Sequence, residues 1–153
     1  MVHRAVPLAD LPRFVDGLVG QFAPGGILLA DRRPGPGFLQ IALRTVEPDG
    51  YTLEFGFPEL DWSRAAFSRV LTAVSADGFE PTTDTGLGAV SRFMRVQMAS
   101  PAPEVSLKAQ RLFTVVAAEL EWGEQPVFDV RFLGQLDIPR IRTGMSAMAS
   151  RGA

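Results

Sequence analysis

The sequence predicts one α+β domain, an antiparallel sheet of about five strands with amphipathic helices packed on it. Two periodicities carry that expectation. Apolar residues recur at three- and four-residue spacing in three segments, as in helices that bury one side, and alternate with polar residues in others, as in half-buried strands. Strands joined by short hairpins, without long crossovers, pair antiparallel. With 46% hydrophobic residues in 153, the chain can fill a single core.

Leu8, Leu11, Phe14, Val15, Leu18, Val19 and Phe22 form the stripe of a first helix, with Asp10 placed to cap its start and Pro12 in its first turn. Pro24-Gly25-Gly26 ends it, and the apolar run Ile27-Leu28-Leu29-Ala30 reads as a strand. A loop, Asp31 to Gly37, leads to a second strand in which Leu39, Ile41 and Leu43 share one face. Glu47-Pro48-Asp49-Gly50 is a tight turn, after which Tyr51, Leu53, Phe55 and Phe57 alternate, completing a hairpin. Asp61 is placed to cap a second helix through Trp62, Ala66, Phe67, Val70, Leu71 and Val74, and Gly78 suits its end. Phe79 to Thr85 is a short strand, and Met94, Val96 and Met98 line one face of the next. Pro101 and Pro103 open a third helix with its stripe at Val105, Ala109, Leu112, Phe113, Val116 and Leu120, closed by Gly123. Val127 to Leu133 is a last strand, giving the order α-β-β-β-α-β-β-α-(β). The domain is expected over residues 1–136, and 137–153, rich in Gly, Ser, Ala and Met, reads as a flexible C-terminal tail. Phe14, Leu18, Leu39, Ile41, Leu53, Phe55, Phe67, Val70, Leu112 and Val116 are the expected core.

The chemistry-bearing inventory is sparse. There is no cysteine, and His3 is the single histidine. Thiolate chemistry and disulfides are excluded, zinc sites of the Cys/His kind lack ligands, and imidazole acid–base work rests on one residue near the N-terminus. The expectation is no catalytic residue, no cofactor and no metal. A formal net charge of −2 offers no global field for nucleic acid, and no apolar run approaches a membrane span. The absence of cysteine and of an apolar leader core fits the cytoplasm. Fourteen arginines against one lysine, Lys108, are what codon bias in a GC-rich genome produces.

Four groups of residues have a functional reading beside a plain one. Arg32 and Arg33 in the Asp31–Gly37 loop could meet a phosphate, but the loop lacks a P-loop or dinucleotide pattern, and Pro34 and Pro36 remove two backbone donors; a solvated hairpin loop is the plain reading. Asp77, Glu80 and Asp84 match no calcium loop. Glu119, Glu121 and Glu124 oppose the third helix's dipole and read as a binding surface or as surface charge. Trp62 and Trp122, at helix edges, are either partner-binding anchors or core aromatics at helix–sheet junctions.

The element order and four passages resemble the type III secretion chaperone-like domains that include the YbjN-like bacterial proteins. Phe38-Leu39-Gln40-Ile41, Tyr51-Thr52-Leu53-Glu54-Phe55, Gly78-Phe79-Glu80-Pro81 and Leu112 to Trp122 with Gln125-Pro126-Val127-Phe128 are similar to that family's strands, turn and closing helix, over residues 8–133. Departures are the missing tryptophan around Asp77-Gly78-Phe79 and Gln125 in place of a histidine. The resemblance implies an α+β sandwich that binds protein partners and often forms homodimers, and it carries no catalytic residue across. The functional expectation is therefore a non-catalytic, chaperone-like domain binding a protein client or a second copy of itself. Its candidate contacts are Trp62, Trp122 and the short apolar strands holding Ile27, Leu29 and Phe128, expected at sheet edges. The alternative is a small-molecule or enzymatic domain with a pocket between sheet and helices.

Overall fold

The computed structural model describes residues 1–86, 88–101 and 103–142. Seven strands form one open antiparallel sheet: β1 Val2–Pro7, β2 Ile27–Arg33, β3 Phe38–Glu47, β4 Gly50–Pro58, β5 Thr82–Thr85, β6 Arg92–Ser100 and β7 Val127–Leu133, in the order β1-β7-β2-β3-β4-β6-β5. Three α-helices, α1 Leu11–Gln21, α2 Phe67–Ala76 and α3 Glu104–Glu119, pack on one side, α3 lying between the other two.

The α+β class and the antiparallel pairing are as expected; the strand number and the first element are not. β1 escapes the periodicity because its register breaks between His3 and Val6, where Ala5 takes φ +53° and its N–H donates to the Asp129 carboxylate at 3.0 Å. A bulge shifts alternation by one residue, so the apolar–polar signal cancels. β1 covers β7, and β7 covers β2. Ile27–Leu29 and Val127–Phe128, expected at edges, are therefore interior strands, and the edges fall to β1 and the polar β5.

Two helix starts also move. Leu8–Asp10 is a 3-10 turn, α1 begins at Leu11, and Asp10 makes no side-chain cap. Residues 61–66 are turns before α2 begins at Phe67. There the Ser63 hydroxyl accepts from Leu60 N–H at 2.8 Å and donates to Pro58 C=O at 2.7 Å, while Asp61 pairs with Arg64 at 2.9 Å instead of capping. Arg92 ties this corner to the sheet, its guanidinium 4.5 Å over the Phe67 ring and bonded to Glu59.

All ten expected core residues are buried, the most exposed being Phe14 at 7%. An aromatic series runs through that core. Phe55 meets Phe113 at 5.5 Å between centroids, Phe113 meets Phe128 at 6.3 Å, Phe128 meets Trp122 at 6.1 Å, and Trp122 meets Trp62 at 6.0 Å. It links β4, α3 and β7 with the segments flanking α2 and α3, and each such contact adds to ordinary burial.

The segment after Asp137 opens with a helical turn at residues 138–142. Arg140 donates to the Val19 and Phe22 carbonyls and pairs with Asp137 at 3.3 Å. A cation thus satisfies carbonyls that the end of α1 leaves without helical partners. Residues 143–153 of the expected tail lie outside the described residues.

Replacing Phe55 or Leu112 by Ala should cost about 2–5 kcal/mol in denaturant unfolding, because both are fully buried between sheet and helices. Arg140→Ala should lower stability by about 1 kcal/mol through the lost carbonyl contacts, read from the same curves.

Candidate functional site

The two tryptophans come together. Trp122 is buried and Trp62 half-buried, and Trp62 also packs on Phe38 at 5.6 Å and Phe57 at 5.8 Å. The end of β2 and the loop after it close over them: Arg32, within β2, sits 5.2 Å above the Trp122 ring. A Cβ on Gly37, whose φ is +119°, would come within 2.6 Å of that ring. Only glycine accepts both that backbone and that approach. Trp122 belongs to the core at a helix–sheet junction, and Trp62 packs against that core with part of its ring exposed. Phe128 is fully buried beneath α3, so it presents nothing to a partner.

The remaining acidic and basic candidates are dispersed. Arg33 reaches Asp129 at 3.4 Å, Asp77 pairs with Arg111 at 2.9 Å, and Asp84 with Arg95 at 2.7 Å. Glu121 and Glu124 border a groove of about 560 Å³ beside α3, floored by Leu8, Ala117 and Pro126. That groove lies outside the core; the space between sheet and helices is occupied by Phe55, Phe57, Phe67, Phe113 and Phe128.

Ile27 and Leu29 stand elsewhere, on the face of the sheet opposite the helices. Their neighbours Leu28 and Ala30 are fully buried, so strand alternation turns Ile27 and Leu29 outward. The register places them in two rows. One runs Val2, Arg131, Leu29, Gln40, Gly56, Arg95, Thr82, crossing all seven strands. The other runs Leu133, Ile27, Ala42, Glu54, Gln97. No described helix covers this face. Ile27 and Leu29 are half-buried, while Val2 and Leu133 are each 47% exposed, so one corner gathers four apolar side chains around Arg131.

Cross-strand ion pairs organise the rest of the face. Asp31 and Asp129 are directly opposite, an unfavourable like-charge pairing relieved diagonally by Arg131 at 3.8 Å and Arg33 at 3.4 Å. Glu54 lies between Arg44 at 2.8 Å and Arg95 at 2.7 Å. The Arg44 hydrogen bond is the largest influence on its carboxyl; burial opposes it and the Arg95 bond supports it, and the net effect holds the pKa below the ordinary value of 4.5. Val2 and Leu133 have no signature in the sequence, because singly exposed apolar residues are common on protein surfaces. The alternation of Val127 to Leu133 was the available clue, since it puts residues 127, 129, 131 and 133 on one face.

Among the described residues no helix is long and apolar enough to cross a membrane, and no group of three or more His, Cys, Asp or Glu side chains is placed to hold a metal ion. Comparison with family models, curated proteins and solved structures finds no match.

Glu54 generates a pH prediction. Its folded pKa is lowered, so the stability it contributes is complete above the ordinary value and is lost as pH falls through the lowered one. The acid limb of a stability–pH curve below about pH 4.5 should flatten in Glu54→Gln, with a lower plateau at neutral pH. Parallel acid limbs for the two proteins would remove the assignment.

Proposed function

We propose that this chain is a non-catalytic protein-binding domain, chaperone-like in mode, that receives a protein client on the uncovered face of its sheet and pairs with a second copy of itself. The observation that carries this reading is the apolar corner formed by Val2, Leu133, Ile27 and Leu29 on a face no described helix covers. Apolar surface beside ordered charges is what a partner's side chains exploit, the apolar part giving affinity and the charges orientation. The filled space between sheet and helices weighs against the alternative, an interlayer pocket for a small molecule. Binding of this kind needs no reactive side chain, no cofactor and no metal, which accords with a chain holding one histidine and no cysteine. The same composition supports a cytoplasmic setting and the resemblance a bacterial one.

A photo-crosslinking residue at Leu29, introduced in the source cells, should yield protein adducts, while one at Thr114 on the helix side should not. Leu133→Glu should reduce the Leu29 adducts several-fold without unfolding the chain, since Leu133 is exposed at the rim of the corner. Adducts from Thr114 alone would contradict the reading.

A further inference from the structure

The arginines of the uncovered face are not equivalent. Arg33 donates to Asp129 at 3.4 Å, Arg44 to Glu54 at 2.8 Å, and Arg95 to Glu54 and Asp84, both at 2.7 Å. Arg131 is different. Its ion-pair partner, Asp31, stays at 3.8 Å, beyond hydrogen-bond reach, and among the described residues its guanidinium donates no hydrogen bond. Asp129, two residues back along β7, is already taken by Ala5 N–H at 3.0 Å and by Arg33. The Asp31 carboxylate accepts no hydrogen bond either, so the two groups hold each other loosely.

On the side away from Asp31 the surroundings of this guanidinium are apolar. Val2 and Leu29 stand directly opposite Arg131 on the two neighbouring strands, Leu133 lies two residues along β7, and Ile27 lies diagonally across. The Arg131 side chain is 46% exposed, so whatever covers these apolar side chains covers it as well. A purely apolar cover would strip water from its N–H donors and replace it with nothing, a cost that offsets the gain from apolar contact. A basic cover would add repulsion between like charges. A carboxylate matches the planar fork and satisfies it.

We propose that the client segment received on this corner is acidic and amphipathic: one carboxylate seated on Arg131, between apolar side chains that cover Val2, Ile27, Leu29 and Leu133. The inference rests on the protein-binding reading above and states the chemistry of its client. The apolar side chains spread over three adjacent strands, about 10 Å across and about 7 Å along. Several side chains of one segment match that footprint at once, whereas a small carboxylate covers only part of it. Arg131 is then the specificity-determining residue, selecting against wholly apolar and basic segments. Asp31 is its internal competitor. It is 44% exposed, so it returns to water when the client's carboxylate takes its place, and the loose pair costs little to break.

Fluorescence anisotropy on the full chain tests this with a labelled peptide, Gly-Ser-Leu-Val-Glu-Val-Leu-Ser-Gly, and its counterparts with Gln or Lys at the centre. The Glu peptide should bind, and the other two roughly tenfold more weakly. Arg131→Gln should bring the three to one level with Tm unchanged. Asp31→Asn should tighten the Glu peptide roughly threefold, a gain that loss of fold cannot produce. If Arg131→Gln fails to fold, the Asp31→Asn gain and the ranking of the peptides on the wild type decide. Overturning results are equal binding of the three peptides, no binding of the Glu peptide up to roughly 1 mM, an Asp31→Asn variant no tighter than wild type, or displacement of the peptide by equimolar octanoate. Leu29 adducts that persist beside any of these leave the client reading standing without its acidic chemistry.

Discussion

Everything in this molecule depends on how α3 is seated. Phe113 projects from it between Phe55 of β4 and Phe128 of β7, strands separated by two others, β2 and β3. One fully buried ring thus spans the middle of the sheet. From Phe128 the contact passes to Trp122 and Trp62, and from Trp62 to Phe57 and Phe67, which seats α2. α1 closes the other flank against α3, where the Ser106 hydroxyl donates to the Asp16 carboxylate. These rings commit all three helices to one side.

That commitment has a consequence for the opposite face. The sheet must hold its register there with its own cross-strand pairs, and it does so with arginines against carboxylates. Glu54 is the centre of this arrangement, accepting from Arg44 and Arg95 at once, while Arg95 continues to Asp84 on the edge strand. Arginine suits the task because its planar fork serves two carboxylates without being deprotonated. At the other end Leu133, Ile27, Leu29 and Val2 gather around the single charge of Arg131. The surface is therefore divided into an ordered polar field and an apolar corner, and the proposed binding function uses that division.

Where periodicity is regular, the sequence is a faithful guide: Leu39, Ile41 and Leu43, or Leu112 and Val116, are buried as their spacing requires. It fails where a single residue breaks the repeat. The bulge at Ala5 hides β1, and with β1 hidden, β7 and β2 look like edges. The capping positions fail as signals for a related reason. Asp10 and Asp61 have the right side chain, but a 3-10 turn and a Ser63-centred turn take up the local donors instead. The site was legible only in part. An edge position predicts Ile27 and Leu29 as partner-facing, whereas what turns them outward is the side of an interior strand on which they stand. Trp62 and Trp122 have the chemistry of anchors, but their meeting at 6.0 Å through Gly37 is a tertiary fact with no local signature.

The central claim is that the described helices all cover one face of the sheet and that none covers the other. Methyl resonances in the presence of a soluble paramagnetic probe test it most directly. Ile27, Leu29 and Leu133 methyls should relax strongly in the dilute chain, while those of Leu28, between the first two in β2, and of Leu39 and Ile41, which pair with Ala30 and Leu28 on the helix side, should be spared. Equal protection of both sets would mean that the second face is covered, and would contradict the account.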